Sequence, residues 1–168
     1  MPKRPNQPKL DVPISPTERA LGLMAAAGVL LSVLIVLNHW ADLPGRIPTH
    51  FGPSGRPDAW GPKWSLPALT GLTIALFAGL TIARRFPHTY NYPWRITEEN
   101  APRQYVLARS LLAWLNLEVV SLFTYLQWST VQVALGNSEG LGTWSLPAVL
   151  IALFATIAIY FLRAYRAR

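Results

Sequence analysis

Four long apolar runs constrain the fold of this chain more than any other feature. They cover residues 20–41, 65–83, 105–127 and 144–162. A helix rises about 1.5 Å per residue, so about 20 apolar residues cross the roughly 30 Å hydrocarbon core of a bilayer. Backbone groups in lipid must be hydrogen-bonded within their own segment, so each run is expected to be a helix. The sequence therefore predicts an all-α integral membrane protein, a four-transmembrane-helix antiparallel bundle.

Composition agrees with a membrane protein and argues against several other classes. Hydrophobic residues make up 51% of the chain and charged residues 14%, against about 25% charged in soluble proteins. The absence of cysteine excludes a disulfide framework and a thiolate metal site. A net charge of +7 could suggest nucleic-acid binding, but the basic residues flank apolar runs instead of forming one soluble face. Membrane lipid is the expected partner, and nucleic acid is not.

The distribution of Lys and Arg predicts the orientation of the chain. Twelve of the 15 lie in residues 1–19, 84–109 and 163–168, and the other three lie in residues 42–64. Loops rich in Lys and Arg stay in the cytoplasm. We therefore expect a multi-pass protein of the cell inner (cytoplasmic) membrane, with both termini inside (N-in/C-in).

This topology gives a simple domain plan. The first apolar run exceeds the ~7–15 residues of a signal peptide, so it is expected to be retained as a helix. The predicted parts are a flexible cytoplasmic N-tail (1–19), one membrane domain (20–168), outer loops (42–64 and 128–143) and a cytoplasmic loop (84–104).

A short repeat opens the second and fourth runs. Trp64–Ala68 and Trp144–Ala148 both read Trp-Ser-Leu-Pro-Ala. Trp suits the membrane interface, Ser is a common helix cap, and Pro is tolerated in the first turn. The repeat indicates either duplication of a helical hairpin or two helices that enter the membrane from the same face and therefore need the same residue types at their start.

The third run carries two polar residues near its midpoint, Asn116 and Glu118. A carboxylate at that depth costs a few kcal/mol unless it is paired or protonated. Three roles are open for Glu118: a hydrogen bond across the bundle, contact with a partner subunit, or proton or ion handling. Arg109 lies on roughly the opposite helix face and is a poor partner. The residues that share the Glu118 face are Trp114, Ser121 and Tyr125.

The loop between the first two runs is expected to be ordered. Residues 43–63 contain too many prolines and glycines for a helix or a central strand. The chain should reverse direction near residues 53–55. Trp60, Lys63 and Trp64 are expected to anchor the far end at the lipid headgroups.

The same loop resembles the family known as domain of unknown function 1648. The family pattern is Leu-Pro, then Ile-Pro-x-His-Phe, Gly-x-x-Asp, Trp-Gly and Lys. The matching residues in this chain are Leu43, Pro44, Ile47, Pro48, His50, Phe51, Gly55, Asp58, Trp60, Gly61 and Lys63. Residues 90–105 also look like small members of that family. The module is shared with Sdp-type immunity proteins, which protect bacteria from a secreted toxic peptide and can take part in signalling. The resemblance therefore implies a membrane module whose role in most members is unknown.

The sequence gives only weak evidence for a metal, cofactor or catalytic site. His50 and Asp58 are weak metal candidates, because neither they nor His39 and Asp42 have the spacing of a compact ligand motif. In a Pro/Gly loop such residues more often tie the loop through backbone hydrogen bonds. No cofactor is predicted, although ligation of a pigment or haem by His39 alone stays open. No nucleophile–base pair, phosphate loop or zincin motif occurs, so we do not expect an enzyme.

The sequence thus favours a non-enzymatic membrane protein that acts through protein–protein contacts. It would be an accessory or structural subunit of a membrane complex, or an immunity-like protein that meets a peptide at the outer loop. The alternative is a small ion- or proton-coupled protein that uses Glu118 and Asn116. The predicted interaction loop comprises Pro44, Pro48, His50, Phe51, Gly55, Asp58, Trp60 and Lys63.

Overall fold

The computed structural model describes residues 7–168 of the chain. Its helices are α1 (Pro16–His39), α2 (Ser65–Ala83), α3 (Ala101–Ala134) and α4 (Ser145–Arg166). Two strands, β1 (Arg46–Phe51) and β2 (Pro57–Pro62), lie between α1 and α2, and a 3₁₀ turn (Pro87–Thr89) lies between α2 and α3. Over residues 7–168, four helices are long and apolar enough to cross a membrane. This confirms the prediction that the four apolar runs form four helices of membrane-spanning length.

Helix α1 begins at Pro16, earlier than the residue 20 predicted from hydropathy. Ser15 and Glu18 form a capping box. The backbone N–H of Glu18 donates to Ser15 Oγ at 3.1 Å, and the backbone N–H of Ser15 donates to Glu18 Oε2 at 2.8 Å. These bonds satisfy two backbone N–H groups at the start of the helix, so the polar residues 16–19 can be helical.

The segment before α1 is held against the rest of the molecule, contrary to the flexible tail predicted for residues 1–19. Gln7 Nε2 donates to the Tyr90 carbonyl at 2.9 Å, and the Tyr105 hydroxyl donates to the Pro8 carbonyl at 2.7 Å. Residues 7–15 are therefore packed; the rest of the predicted tail, residues 1–6, lies outside the described residues.

Helix α3 is the element on which the other helices assemble. It contacts α1, α2 and α4, and it also contacts β1. Its 34 residues extend about 51 Å at the usual helical rise, well beyond the hydrocarbon core of a bilayer. The helix extends beyond both ends of the predicted span of 105–127. Residues 101–104 and 128–134, which were predicted to lie in the loops 84–104 and 128–143, are therefore helical.

The α1–α3 contact combines a close approach with a buried polar network. A Cβ on Gly28 would lie 2.7 Å from Val120 Cγ1, so glycine is required for the two helices to approach this closely. Ser32 Oγ donates to Gln127 Oε1 at 2.7 Å, and Gln127 Nε2 donates to the Ser32 carbonyl and to Thr70 Oγ1 at 2.8 Å each. The network links α1, α2 and α3 through side chains that would be costly to bury unpaired.

An apolar cluster joins the strands to the helices. It comprises Ile35, Leu43, Ile47, Leu66 and Val131, which come from α1, the α1–β1 connection, β1, α2 and α3. Ile47 is fully buried, whereas most of β2 is exposed. The cluster therefore fixes the two strands on the end of the helices through β1.

The repeated Trp-Ser-Leu-Pro-Ala segments open α2 and α4 in the same way. Each helix begins at the serine, directly after the tryptophan. The predicted role of the serines as caps is wrong: Ser65 Oγ donates to the Pro62 carbonyl at 2.8 Å, and Ser145 Oγ donates to the Gly142 carbonyl at 3.0 Å. Both hydroxyls therefore close the preceding turn instead of accepting from the first helical N–H groups.

Candidate functional site

The strands β1 and β2 form an antiparallel hairpin, named here the hairpin (residues 46–62). Arg46 pairs with Pro62 and Phe51 pairs with Pro57, with irregularities around His50. A two-stranded sheet has only edge strands, which is where proline is tolerated. Gly55 turns the chain with a φ of +76°, within the region 53–55 where reversal was expected.

His50 and Asp58 meet across the hairpin. His50 Nδ1 lies 2.5 Å from Asp58 Oδ1, and the two side chains are 67% and 51% exposed. The two side chains therefore contact each other directly, instead of making the hydrogen bonds to the backbone that were expected for them. Over residues 7–168, no group of three or more His, Asp or Glu side chains is placed to hold a metal ion.

The rest of the predicted interaction loop divides into buried and exposed residues. Pro48 is buried and Phe51 is half-buried, whereas Trp60 is 46% exposed. Lys63 Nζ donates to the Trp40 carbonyl at 3.3 Å and lies 4.6 Å from the centre of the Trp40 ring. Lys63 thus joins the end of the hairpin to the end of α1.

The tip of the hairpin is attached to the connection between α3 and α4 (residues 135–144). The Leu141 N–H donates to the Gly55 carbonyl at 2.8 Å, and Arg56 Nη2 donates to Glu139 Oε2 at 2.9 Å. The approach depends on Gly140, because a Cβ there would lie 2.1 Å from the Gly55 oxygen. We call this set of contacts the tip contact. It makes the hairpin and the α3–α4 connection one ordered surface.

Glu118 faces α4, and Thr156 Oγ1 donates to Glu118 Oε1 at 2.5 Å. Glu118 Oε2 is buried, and no group within residues 7–168 donates a hydrogen bond to it. Glu118 lines two cavities between α3 and α4, of about 910 Å³ and 400 Å³. Trp114 lines both, and Ser121 and Tyr125 line the larger one, as their shared helix face predicted.

Asn116 lies on a different face of α3 and does not join Glu118. Asn116 Nδ2 donates to Thr81 Oγ1 at 3.0 Å and to the Phe77 carbonyl at 3.3 Å, both on α2. Two residues along a helix separate side chains by about 200°, so the pair cannot face one neighbour. The structure therefore does not place Asn116 and Glu118 in a common ion site.

A buried ion pair between α1 and α3 was not predicted from the sequence. Arg109 Nη2 and Nε donate to the two carboxylate oxygens of Glu18 at 3.0 Å each, and both side chains are almost fully buried. Arg109 also donates to the carbonyls of Val12 and Pro13. The capping-box pattern Ser15-x-x-Glu18 could have placed Glu18 in the first turn of α1, but no signal in the sequence identifies Arg109 as its partner.

Two tyrosines in the connection between α2 and α3 are partly withdrawn from water. The Tyr90 hydroxyl donates to the Ala83 carbonyl at 2.8 Å, and the Tyr92 hydroxyl donates to the Pro87 carbonyl at 3.0 Å. Burial raises the pKa of Tyr90 to about 12 and also raises that of Tyr92. Both phenols are therefore held as neutral hydrogen-bond donors.

His39 lies at the end of α1. Its Nδ1 is 3.0 Å from the Ile35 carbonyl oxygen. Its ring packs edge-on against Trp128, with 5.8 Å between the two ring centres. A hydrogen bond to that carbonyl leaves only Nε2 for any other ligand.

Four helices of membrane-spanning length, with an ordered hairpin between the first two, define a multi-pass membrane protein. Residues 27–82, from α1 through the hairpin into α2, match the family described as "Domain of unknown function (DUF1648)". This match confirms the resemblance read from the loop residues.

One curated relative is an "Uncharacterized protein" of Archaeoglobus fulgidus, 32% identical over 89 residues, or 48% of this chain and 49% of the relative. The chain thus spans about half the length of the curated relative it matches. No solved structure matches the chain.

Proposed function

We propose that the protein is a non-enzymatic component of the inner (cytoplasmic) membrane that acts through protein–protein contacts. Its four helices would form an antiparallel bundle with both termini and residues 84–100 in the cytoplasm and the hairpin outside. In this arrangement the hairpin and residues 135–144 form a single outer surface. The distribution of Lys and Arg supports this orientation.

The tip contact is the observation that carries this proposal. Two loops that are distant in sequence are joined by a backbone hydrogen bond, by an ion pair and by the close packing of Gly140 against Gly55. A surface that is ordered before binding loses less conformational entropy when a partner arrives. It presents an exposed tryptophan, Trp60, which is typical of interface hot spots. The partner would be another membrane subunit or a peptide, as in an accessory subunit or an immunity-like protein.

Site-specific cross-linking in native membranes tests the proposal. A photoreactive residue at Ala59, exposed on β2, should give a defined adduct with a second protein or peptide. The matched position is Thr97, exposed on the other side of the molecule, where no such adduct is expected. Gentle purification followed by identification of co-purifying proteins should recover the same partner. A lone monomer with no adduct at Ala59 would overturn the proposal.

The orientation has an independent test, because the chain contains no cysteine. A single cysteine at Ser54, in the hairpin turn, should react in intact cells with a membrane-impermeant maleimide. A single cysteine at Thr97 should react only after the membrane is made permeable. The opposite pattern would reverse the proposed orientation.

The alternative, ion or proton coupling, now depends on Glu118 alone, because Asn116 faces α2. Glu118→Gln should remove pH-dependent ion or proton flux in reconstituted vesicles if this alternative holds, and unchanged flux would end it. We propose no bound cofactor or metal. Metal analysis and absorption spectra of the purified protein, with His50→Ala and His39→Ala variants, test this directly.

A further inference from the structure

A cavity at the end of the molecule opposite the hairpin is lined by three arginines, Arg84, Arg85 and Arg109. Its volume is about 330 Å³, within the range of sites that bind small ligands. It lies where α1 begins and α2 ends, and residues 10–12 and 14 of the packed N-terminal segment form part of its wall. We call it the arginine cavity.

The three arginines differ in whether their charge is compensated. Arg109 donates to both carboxylate oxygens of Glu18, so this pair is neutral overall. Within residues 7–168, the side chains of Arg84 and Arg85 make no ion pair and no hydrogen bond. The other carboxylate of the cavity, Asp11, is exposed and also makes no ion pair within those residues. Two unpaired cations against one unpaired anion give the cavity a net attraction for a negatively charged group.

The position of Arg84 places its charge near the membrane boundary. A Cβ on Gly22 would lie 3.5 Å from Arg84 Nη2, so the guanidinium reaches the seventh residue of α1. That residue is about 9 Å from the start of a helix of about 36 Å, which exceeds the roughly 30 Å hydrocarbon core. The guanidinium therefore lies where lipid headgroups meet hydrocarbon, which is also where lipid phosphates lie. Arginine binds phosphate oxygens through strong, charge-assisted hydrogen bonds.

The rest of the cavity wall distinguishes a lipid from a free phosphate ion. Leu10 and Ile14 line the cavity and are 40% and 57% exposed, so they offer apolar contacts that an inorganic ion cannot use. Thr81 adds a hydroxyl group: it accepts from Asn116 Nδ2 and donates to no group within residues 7–168. Cations, a free hydroxyl donor and exposed apolar side chains in one cavity match a phosphate group that carries acyl chains.

We propose that the arginine cavity binds the phosphate group of an anionic phospholipid. Arg84 and Arg85 donate hydrogen bonds to the phosphate oxygens, and Leu10 and Ile14 contact the first part of the acyl chains. An anionic lipid is preferred because a headgroup with its own amine would bring a positive charge to a cavity that already has an excess of it. This inference goes beyond the proposed function, because it requires a membrane but no protein partner.

The test uses the full chain in phosphatidylcholine vesicles, labelled at a cysteine introduced at Thr17, an exposed position next to the cavity residue Glu18. The probes are phosphatidylglycerol and phosphatidylcholine, each with the same acceptor fluorophore on an acyl chain. Energy transfer at increasing probe fractions gives the relative association of the two lipids. Phosphatidylglycerol should associate at least about fivefold more tightly, which corresponds to about 1 kcal/mol for a basic residue at an anionic lipid.

Matched arginine variants separate a defined site from general attraction to a basic protein. Arg84→Gln and Arg85→Gln should each remove most of the preference for phosphatidylglycerol. Arg95→Gln and Arg103→Gln remove the same charge from exposed positions that do not line the cavity, so the preference should persist. Arg85 is exposed at the end of α2, so Arg85→Gln still decides the question if Arg84→Gln fails to fold.

Two further arms distinguish the lipid from free phosphate. An excess of inorganic phosphate should leave the phosphatidylglycerol probe bound, and Ile14→Ser, which removes an apolar contact, should weaken its binding. Displacement by inorganic phosphate, or unchanged binding in Ile14→Ser, would overturn the assignment to a lipid. Equal association of the two lipid probes, or an equal loss of preference in all four arginine variants, would show that the cavity is not a specific site.

Discussion

The two ends of the molecule carry similar ion pairs in opposite surroundings. Arg109 and Glu18, near the N-terminal segment, have side chains 8% and 4% exposed. Arg56 and Glu139, in the tip contact, have side chains 73% and 86% exposed. The N···O distances are almost equal, 3.0 and 2.9 Å. Burial therefore distinguishes the pairs: removing one partner leaves an uncompensated charge in the first case and a solvated charge in the second.

The largest expected effect comes from breaking the buried pair. Arg109→Ala leaves the Glu18 carboxylate buried and frees the carbonyls of Val12 and Pro13, so we expect a loss of about 3–5 kcal/mol in unfolding free energy. Denaturant titration in detergent micelles measures it. Arg103→Ala, an exposed arginine on the same helix, is the control and should change stability little. Equal losses in the two variants would contradict the difference drawn between the two ends.

The tip contact depends on shape more than on charge. Gly140→Ala would place a Cβ 2.1 Å from the Gly55 oxygen, so the two loops must separate. We expect a loss of about 1–3 kcal/mol, with faster proteolysis of the hairpin. Gly45→Ala, which meets no atom within 4 Å, is the matched control. Unchanged proteolysis in Gly140→Ala would show that the tip contact does not order this surface.

Alkaline pH should lower the stability of the end of the molecule that contains the Arg109–Glu18 pair. Burial raises the pKa of Tyr90 to about 12, above the ordinary value of 10, so the unfolded chain loses this proton first. The contribution to stability is complete below pH 10 and is lost as pH rises through about 12. Absorbance of the phenolate should reveal a late-ionising tyrosine that Tyr90→Phe removes. A normal titration of every tyrosine would contradict the burial of this segment.

The smallest expected effect comes from breaking the exposed pair. Arg56→Ala should cost about 0–1 kcal/mol, because both side chains are solvated and the bond is screened by salt. The same denaturant titration, repeated at high salt, checks this. A loss as large as that of Arg109→Ala would mean that burial is not what separates the two pairs.

For α2 and α4, the local sequence predicted where each helix starts but not what surrounds it. Trp64–Ala68 and Trp144–Ala148 have identical sequences and open helices in the same way. Yet Leu66 is buried in the apolar cluster, whereas Leu146 is 53% exposed. Hydropathy along one segment reports whether it can cross a membrane. It carries no information on which neighbour covers it.

The candidate sites likewise divide into features that local sequence predicted and features that depend on tertiary packing. The residues that share a helix face with Glu118 followed from helical periodicity, and they line the larger cavity between α3 and α4. The separation of Asn116 from Glu118 and the direct contact of His50 with Asp58 depend on which elements pack together. Glu18 and Arg109 are 91 positions apart in the sequence, so no local pattern reveals their pairing.

The sequence by itself determined that four helices of membrane-spanning length occur and that a proline-rich loop, which resembles a known family, lies between the first two. Those properties are local, because a helix in lipid must satisfy its own backbone and proline restricts its own residue. Only the tertiary structure decided that residues 7–15 are packed, that the hairpin meets residues 135–144, and that no group within residues 7–168 donates a hydrogen bond to Glu118 Oε2. These are contacts between distant segments, and they exist only once the helices have assembled around α3.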